Sequence, residues 1–188
     1  ATGENAETAV RVWAVGQGFS TVMEGYRVWE DHDLFSGIPV GGRVTDAVLD
    51  ESGQLWLSYA GANRLKGGLV SFDPGTRAFK DYGHLYKQNF VQYPRGLSMD
   101  DAGWVYWAVG QALCQVVAFN PGTGTVKPLL KEDERSPGYA QVYQDENGKV
   151  YGRSRRSGGW FECHAGMALK IDGRPPMRRY SKAKRGDN

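Results

Sequence analysis

Pro94-Arg95-Gly96-Leu97-Ser98-Met99-Asp100-Asp101-Ala102-Gly103-Trp104-Val105-Tyr106-Trp107-Ala108-Val109-Gly110-Gln111 opens the stretch, running on to Lys131, that decides the fold. An extended run from Arg95 closes at the turn Asp100-Asp101-Ala102-Gly103, and Trp104 to Val109 reads as a second strand. Gln115 to Phe119 reads as a third strand and Thr125 to Leu130 as a fourth. Between them lies Asn120-Pro121-Gly122-Thr123, where Pro fixes φ and the following Gly accepts positive φ, the composition of a type II turn. Four short strands joined by tight turns predict one antiparallel meander.

The same units recur. Trp107-Ala108-Val109-Gly110-Gln111 is repeated as Trp13-Ala14-Val15-Gly16-Gln17, 94 residues earlier. Phe119-Asn120-Pro121-Gly122-Thr123 is echoed 47 residues earlier by Phe72-Asp73-Pro74-Gly75-Thr76. The acidic turn returns as Asp50-Glu51-Ser52-Gly53 and Asp145-Glu146-Asn147-Gly148. A period near 47 built of four strands predicts an all-β fold, a β-propeller of four-stranded antiparallel blades. The 188 residues hold about four such blades, near 10–31, 44–82, 94–131 and 139–180, with a basic tail at 181–188, all in one propeller segment. Residues 1–9 are too few and too polar to supply the first blade's first strand, which leaves fifteen strands in place of sixteen. A four-bladed ring with an irregular first blade is one solution. An open ring leaves unpaired edges that proteins normally close, and a share of a larger propeller is preferred because the missing first strand cannot be found in the tail. A two-sheet β-sandwich also suits many short strands, but it does not account for a repeat of this fidelity.

Composition agrees. Twenty-six Gly, six Trp and ten Tyr suit tight turns and aromatic strands, and a net charge of +2 gives no reason to expect a nucleic-acid or membrane partner. No apolar run approaches a membrane span, and the first residues do not resemble a signal peptide. Leu55, Leu57 and Tyr59 alternate with Gln54, Trp56 and Ser58, so both faces of the strand carry large side chains and both are expected to pack on neighbours. Trp13, Trp56, Trp107, Phe72 and Phe119 are therefore read as packing residues, with Trp56 and Trp107 at equivalent places on second strands. Cys114 and Cys163 are expected to be free thiols near one rim, since nothing in their spacing brings them within disulfide reach.

An acidic-Gly turn, a Leu/Val-Trp/Tyr strand and a Phe-Asp/Asn-Pro-x-Thr turn, over roughly residues 44 to 154, resemble the propellers of the virginiamycin B lyase, NHL and two-component-regulator groups. The resemblance implies the fold and little about activity, because propellers host lyases, hydrolases, oxidoreductases and binding scaffolds alike. The streptogramin lyase activity of the first group implies a His pair and a Glu around a magnesium ion. The histidines here are His32, His84 and His164, and Arg95 stands at the strand start where such a His is expected. That activity is not expected here. Polysaccharide lyases acting on uronic acids form another propeller group, better suited to an aromatic and basic loop.

The loops joining fourth to first strands, and second to third, share one rim around the channel: 84–93, 130–138, 60–66, 110–114 and 154–166. Ser154 to Gly166 stands out, spending thirteen residues where other blades use a short turn, and loops of that length are often functional. It is expected to fold over the channel mouth beside Arg95 and Tyr139 as one wall of an anion-accepting pocket. Glu162-Cys163-His164 offers metal-ligand types, but adjacent residues point apart, so no metal or cofactor is expected. Asp50-Glu51 and Asp100-Asp101 are read as side-chain-bonded turns rather than as an acid-base pair. The cations from Arg174 to Arg185 are read as a solvated strand and tail.

Two functions fit. One is a carbohydrate-active propeller cleaving acidic polysaccharide by β-elimination, with Arg to neutralise the carboxylate and Tyr or His to move the proton. His84, Tyr93, Arg95, Tyr139 and His164 are the candidate catalytic residues; Tyr86, Arg155, Arg156 and Trp160 are the candidate substrate contacts. The other is a non-catalytic propeller binding a glycan or protein on the same rim, or part of a sensor. The expected partner is an acidic oligosaccharide or polysaccharide, with the remaining blades of the same propeller as a second; a secreted or periplasmic location is expected.

Overall fold

A computed structural model describes residues 43–60, 67–73, 75–76, 78–86, 92–154 and 159–176. The expected first blade (10–31), the end of the fourth (177–180) and the tail lie outside them. The described residues form twelve strands in three successive antiparallel meanders, the second, third and fourth blades of the sequence reading. The second blade comprises β1 (Arg43–Leu49), β2 (Leu55–Ala60), β3 (Gly67–Asp73) and β4 (Ala78–Gly83). The third comprises β5 (Gln92–Met99), β6 (Val105–Gln111), β7 (Gln115–Asn120) and β8 (Thr125–Pro128). The fourth comprises β9 (Gly138–Gln144), β10 (Val150–Ser154), β11 (Trp160–His164) and β12 (Met167–Ile171). A 3-10 turn at Glu132–Glu134 lies between the last two blades.

The acidic turns are the most faithful copies. In each, the Asp N–H bonds the carbonyl four residues on (Gln54, Trp104 or Lys149), and the turn glycine donates back to the Asp carbonyl. Those glycines, Gly53, Gly103 and Gly148, have φ of 85°, 77° and 84°, a conformation that a Cβ makes costly. The Asp side chain bonds the turn backbone: Asp50 Oδ1 accepts from Ser52 N and Gln54 N, and Asp145 Oδ1 from Asn147 N and Lys149 N. These carboxyl groups are structural, as their turn composition predicts.

The second repeated turn differs from expectation. Gly122 does not take positive φ; Gly124 does, at 71°. Asn120 Oδ1 instead accepts the N–H groups of Gly122 and Thr123 at 2.9 and 3.0 Å, an Asx turn that takes the place of the type II geometry.

Register corrects the repeat alignment. Leu49 faces Leu55 as Met99 faces Val105, so Trp56 is equivalent to Tyr106, and Leu57 to Trp107. Hydrogen bonds agree: Trp56 Nε1 donates to Asp50 Oδ2 at 2.9 Å, and the Tyr106 hydroxyl to Asp100 Oδ2 at 2.7 Å. The indoles of Trp56 and Trp107 therefore point to opposite faces. Both are nonetheless buried, as expected of packing residues.

Between blades lie the cores. Trp56 and Leu69 of the second blade pack on Leu97, Val105, Trp107, Val109, Val117 and Phe119 of the third. The opposite face of the third blade, Tyr106, Ala108, Val116 and Ala118, packs on Ala140, Val142, Val150, Phe161 and Cys163 of the fourth. Each fully buried large side chain contributes roughly 1.5–3 kcal/mol. Gly110↔Tyr139 and Gln111↔Gly138 pairs also join the third and fourth blades into one eight-stranded sheet. A Cβ on Gly110 would lie 2.1 Å from Gly138 O, so that bridge requires glycine.

Candidate functional site

The upper rim, where each blade's first strand begins and its second ends, carries Arg95. Register shifts between Val44 and Asp46 and between Pro94 and Gly96, so Thr45 and Arg95 occupy equivalent bulges on β1 and β5. A bulge re-aims its side chain, and Arg95 is exposed. Its guanidinium lies 4.3 Å from the centroid of the Tyr139 ring, which the short β6–β9 bridge holds in place. A cation over an aromatic face is held by the ring quadrupole, which here braces a charged fork on the innermost strands.

The other candidates do not converge on this stack. His84 follows β4 on the upper rim, where its Nδ1 bonds the carbonyl of Gly67, the first residue of β3. Tyr86 packs on the core between the second and third blades. Tyr93 pairs through its backbone with Gly110. Arg155 and Arg156 lie outside the described residues.

His164 and Trp160 correct the expectation of a long rim loop. Trp160–His164 is a strand, paired with Val150–Gly152 on one side and Met167–Ile171 on the other. Phe161 and Cys163 point into the core, while Trp160, Glu162 and His164 point outward. His164 stands at the lower end, 3.0 Å from Asp101, on the rim opposite Arg95. Trp160 is taken by protein partners: Arg153 over its ring at 4.4 Å and Tyr143 edge-on at 5.3 Å. His164 is thus separated from Arg95 by the length of the blade.

The cysteines are free and buried. Cys114 immediately precedes β7 at the upper rim, its Sγ 3.2 Å from Ser154 Oγ. Cys163 sits in a strand toward the lower end rather than in a rim loop. Burial first, and Asp100 second, push its thiol up to about 12, so it is held protonated and unreactive.

Sequence reasoning missed the lower rim. The acidic turns converge on a cleft of about 630 Å³ lined by Asp50, Glu51, Asp100, Asp101 and Glu146. Such a cleft repels anions, and the recurrence of an Asp-x-x-Gly turn at the same place in each blade was the signal for it. No group of three or more His, Cys, Asp or Glu among the described residues is placed to hold a metal.

No family model matches this chain. No curated protein matches it by sequence. Solved structures do match by fold. A luciferin-regenerating enzyme aligns over 75% of this chain and 48% of its own, at 15% identity and a TM-score of 0.50. A structural-genomics target described as a gluconolactonase aligns over 68% and 48%, at 9% identity and a TM-score of 0.48. The chain thus spans about half the length of these structures. At 15% identity the likeness to the first is one of architecture and does not single out the virginiamycin B lyase, NHL or two-component-regulator groups. With the strand order it supports a propeller-like fold, present here in part.

Proposed function

We propose that this chain is part of a carbohydrate-active propeller that takes an acidic glycan on its upper rim, with Arg95 meeting the uronate carboxylate. The observation that carries the reading is the Arg95–Tyr139 stack. A guanidinium binds a carboxylate with two parallel hydrogen bonds, and bracing it on a ring reduces the freedom lost on binding. The lower cleft supports the same choice of rim, because its carboxyl groups oppose an anionic ligand. Arg155 and Arg156 stay in the proposal on sequence grounds alone.

Catalysis by β-elimination needs a proton acceptor beside the charge stabiliser. With His164 on the far rim and the His84 Nδ1 engaged by a carbonyl, Tyr139 is the described residue placed next to Arg95. Calorimetric titration with an oligouronate tests binding. Arg95→Ala should weaken it by about tenfold or more, the worth of a charge-assisted hydrogen bond, and a neutral oligosaccharide of equal length should not bind. Unchanged affinity in the variant overturns the site. The ultraviolet absorbance of an unsaturated uronate separates the classes: its appearance, lost in Tyr139→Phe, marks a lyase, and binding without it marks the non-catalytic propeller.

A further inference from the structure

The third and fourth blades are locked together by a polar node that the fourth blade half repeats on its other side. Asp100 Oδ2 accepts the Tyr106 hydroxyl at 2.7 Å from its own blade and Ala165 N at 2.8 Å from the next. Gly166 N donates to the Tyr106 oxygen at 3.0 Å. The donor is the hairpin turn between β11 and β12, where Ala165 and Gly166 take φ of 49° and 71° and turn two successive N–H groups toward the third blade. Acceptors on one blade thus meet a left-handed turn on the following one.

Asp145 is the copy of Asp100, in an identical turn, and Tyr151 follows it by the same interval as Tyr106 follows Asp100. Asp145 is 1% exposed, yet its Oδ2 has no hydrogen-bond partner among the described residues. A buried carboxyl oxygen left without a donor is costly, and native proteins rarely tolerate one. The surrounding face is also of interface type. Tyr143, Tyr151 and Trp160 line it, and Met167 and Leu169 beside them are 65% and 72% exposed. On the equivalent face of the third blade, Tyr106, Ala108, Val116 and Ala118 are buried against the fourth.

The chain's path gives a third indication. Leaving the outer strand, each blade's connection crosses this face: Leu85 and Tyr86 pack across the second blade, Leu129 and Leu130 across the third. After β12 the chain again turns inward, with Pro175 buried and Pro176 O accepting the Tyr143 hydroxyl of the innermost strand at 2.9 Å.

We propose that the outer face of the fourth blade is a docking face for a further four-stranded blade of the same repeat, whose hairpin turn donates backbone N–H groups to Asp145 Oδ2 and the Tyr151 hydroxyl. It continues the interface between the third and fourth blades by one step. It also fits a chain that spans 48% of the propeller-like structure it matches.

The test extends the full chain by repeating residues 129–176 after Pro176, so that a copy of the Ala165-Gly166 turn can reach Asp145. Hydrogen exchange at the two appended turn amides should slow by about tenfold, the worth of one buried hydrogen bond, and Asp145→Ala should abolish the protection. A control extension carrying Arg153→Ala, Trp160→Val and Glu162→Ala gives the fourth blade the facing residues of the third (Ala108, Val116, Ala118), for which the appended blade is already matched. Protection in the unaltered extension supports the proposal. Protection in the control alone, or in neither, overturns it. Concentration-dependent burial of Trp160 in the unextended chain would assign the face to a second copy and overturn it as well.

Discussion

Blades two and three meet through large aromatic groups, whereas blades three and four meet through small side chains and polar bridges. At the first interface, Tyr82 stacks on Trp56 at 5.4 Å and meets Phe119 edge-on at 5.1 Å. Trp107 is buried there for its volume, since its indole N–H finds no acceptor among the described residues. Asp50 spends its bonds inside its own blade, on Ser52, Gln54 and Trp56. At the second interface, Ala108, Ala118, Ala140 and Gly152 let the sheets approach, and Asp100 reaches across to Ala165. The position equivalent to Trp107 is Gly152, opposite Val116, and that to Trp56 is Tyr106. The repeat therefore conserves hydrogen-bond geometry while trading volume between facing residues, since close packing constrains only the sum.

The largest effect should come from the polar node. Asp100→Ala removes the acceptor of Trp104 N, the Tyr106 hydroxyl and Ala165 N, the hydroxyl buried and the two amides half-buried. We expect a loss of about 3–5 kcal/mol, from unsatisfied donors at roughly 1–3 kcal/mol each. Asp50→Ala, whose partners are nearer solvent and within one blade, should cost about 1–2 kcal/mol. Chemical denaturation of both variants checks the contrast; equal losses would mean that the cross-blade bond contributes nothing.

Next in size is the backbone bridge. Gly110 of β6 is equivalent to Ala60 of β2, and among the described residues only the glycine is paired to the following blade's first strand. Gly110→Ala drives a Cβ against the Gly138 and Tyr139 backbone, which cannot yield as a flexible side chain would. About 1–3 kcal/mol should be lost, the range for overpacking, and amides of Gly138 and Tyr139 should exchange faster. Ala60→Gly should cost about 0.5–1 kcal/mol, the entropic difference alone.

The turn positions, the strand order and the burial of both faces were legible in the sequence because they rest on local chemistry that repeats. Asp-x-x-Gly fixes a turn wherever it occurs. Aligning Trp56 with Trp107 failed because residue type was matched in place of the count from the turn Asp, and a Tyr hydroxyl serves that Asp as well as an indole N–H. Reading Ser154 to Gly166 as one loop failed because its glycines and charges obscured the in-out alternation of Phe161 and Cys163 against Trp160, Glu162 and His164. Arg95 and Tyr139 were legible as rim residues, but their contact depends on a bulge and a two-pair bridge that no local pattern encodes.

Alkaline pH sharpens the comparison of interfaces. Burial, then Asp100, raises the Cys163 thiol from 9.0 to about 12, and burial with the Asp100 hydrogen bond raises the Tyr106 hydroxyl well above 10.0. Away from this interface, burial and Asp81 raise Tyr59 to about 12. All three are neutral when protonated, so the folded chain keeps protons that the unfolded chain releases. Their contribution is complete below pH 9, the unfolded thiol's value, and is lost as pH climbs through 9 and 10 toward 12. Each group adds a slope of up to about 1.4 kcal/mol per pH unit. Urea unfolding between about pH 8 and about pH 11 should show the decline, and Cys163→Ala with Tyr106→Phe should flatten it more than Tyr59→Phe does. A slope unchanged in the double variant would place the titrating groups elsewhere.

The smallest effect should come from the most conspicuous contact across the second interface, the bond between His164 Nε2 and Asp101 Oδ1 at 3.0 Å. Both side chains are well exposed, at 60% and 77%, so water competes for each partner and the net gain is small. His164→Ala should change stability by no more than about 0.5 kcal/mol, an order of magnitude below Asp100→Ala one residue away from its partner. The same variant also separates the two rims. His164 points outward at the lower end of β11, beyond reach of a ligand held by Arg95 at the upper end, so oligouronate affinity should be unchanged where Arg95→Ala reduces it. A drop in affinity in His164→Ala would move the glycan to the lower rim, against the charge of the acidic cleft, and would require a different cation there.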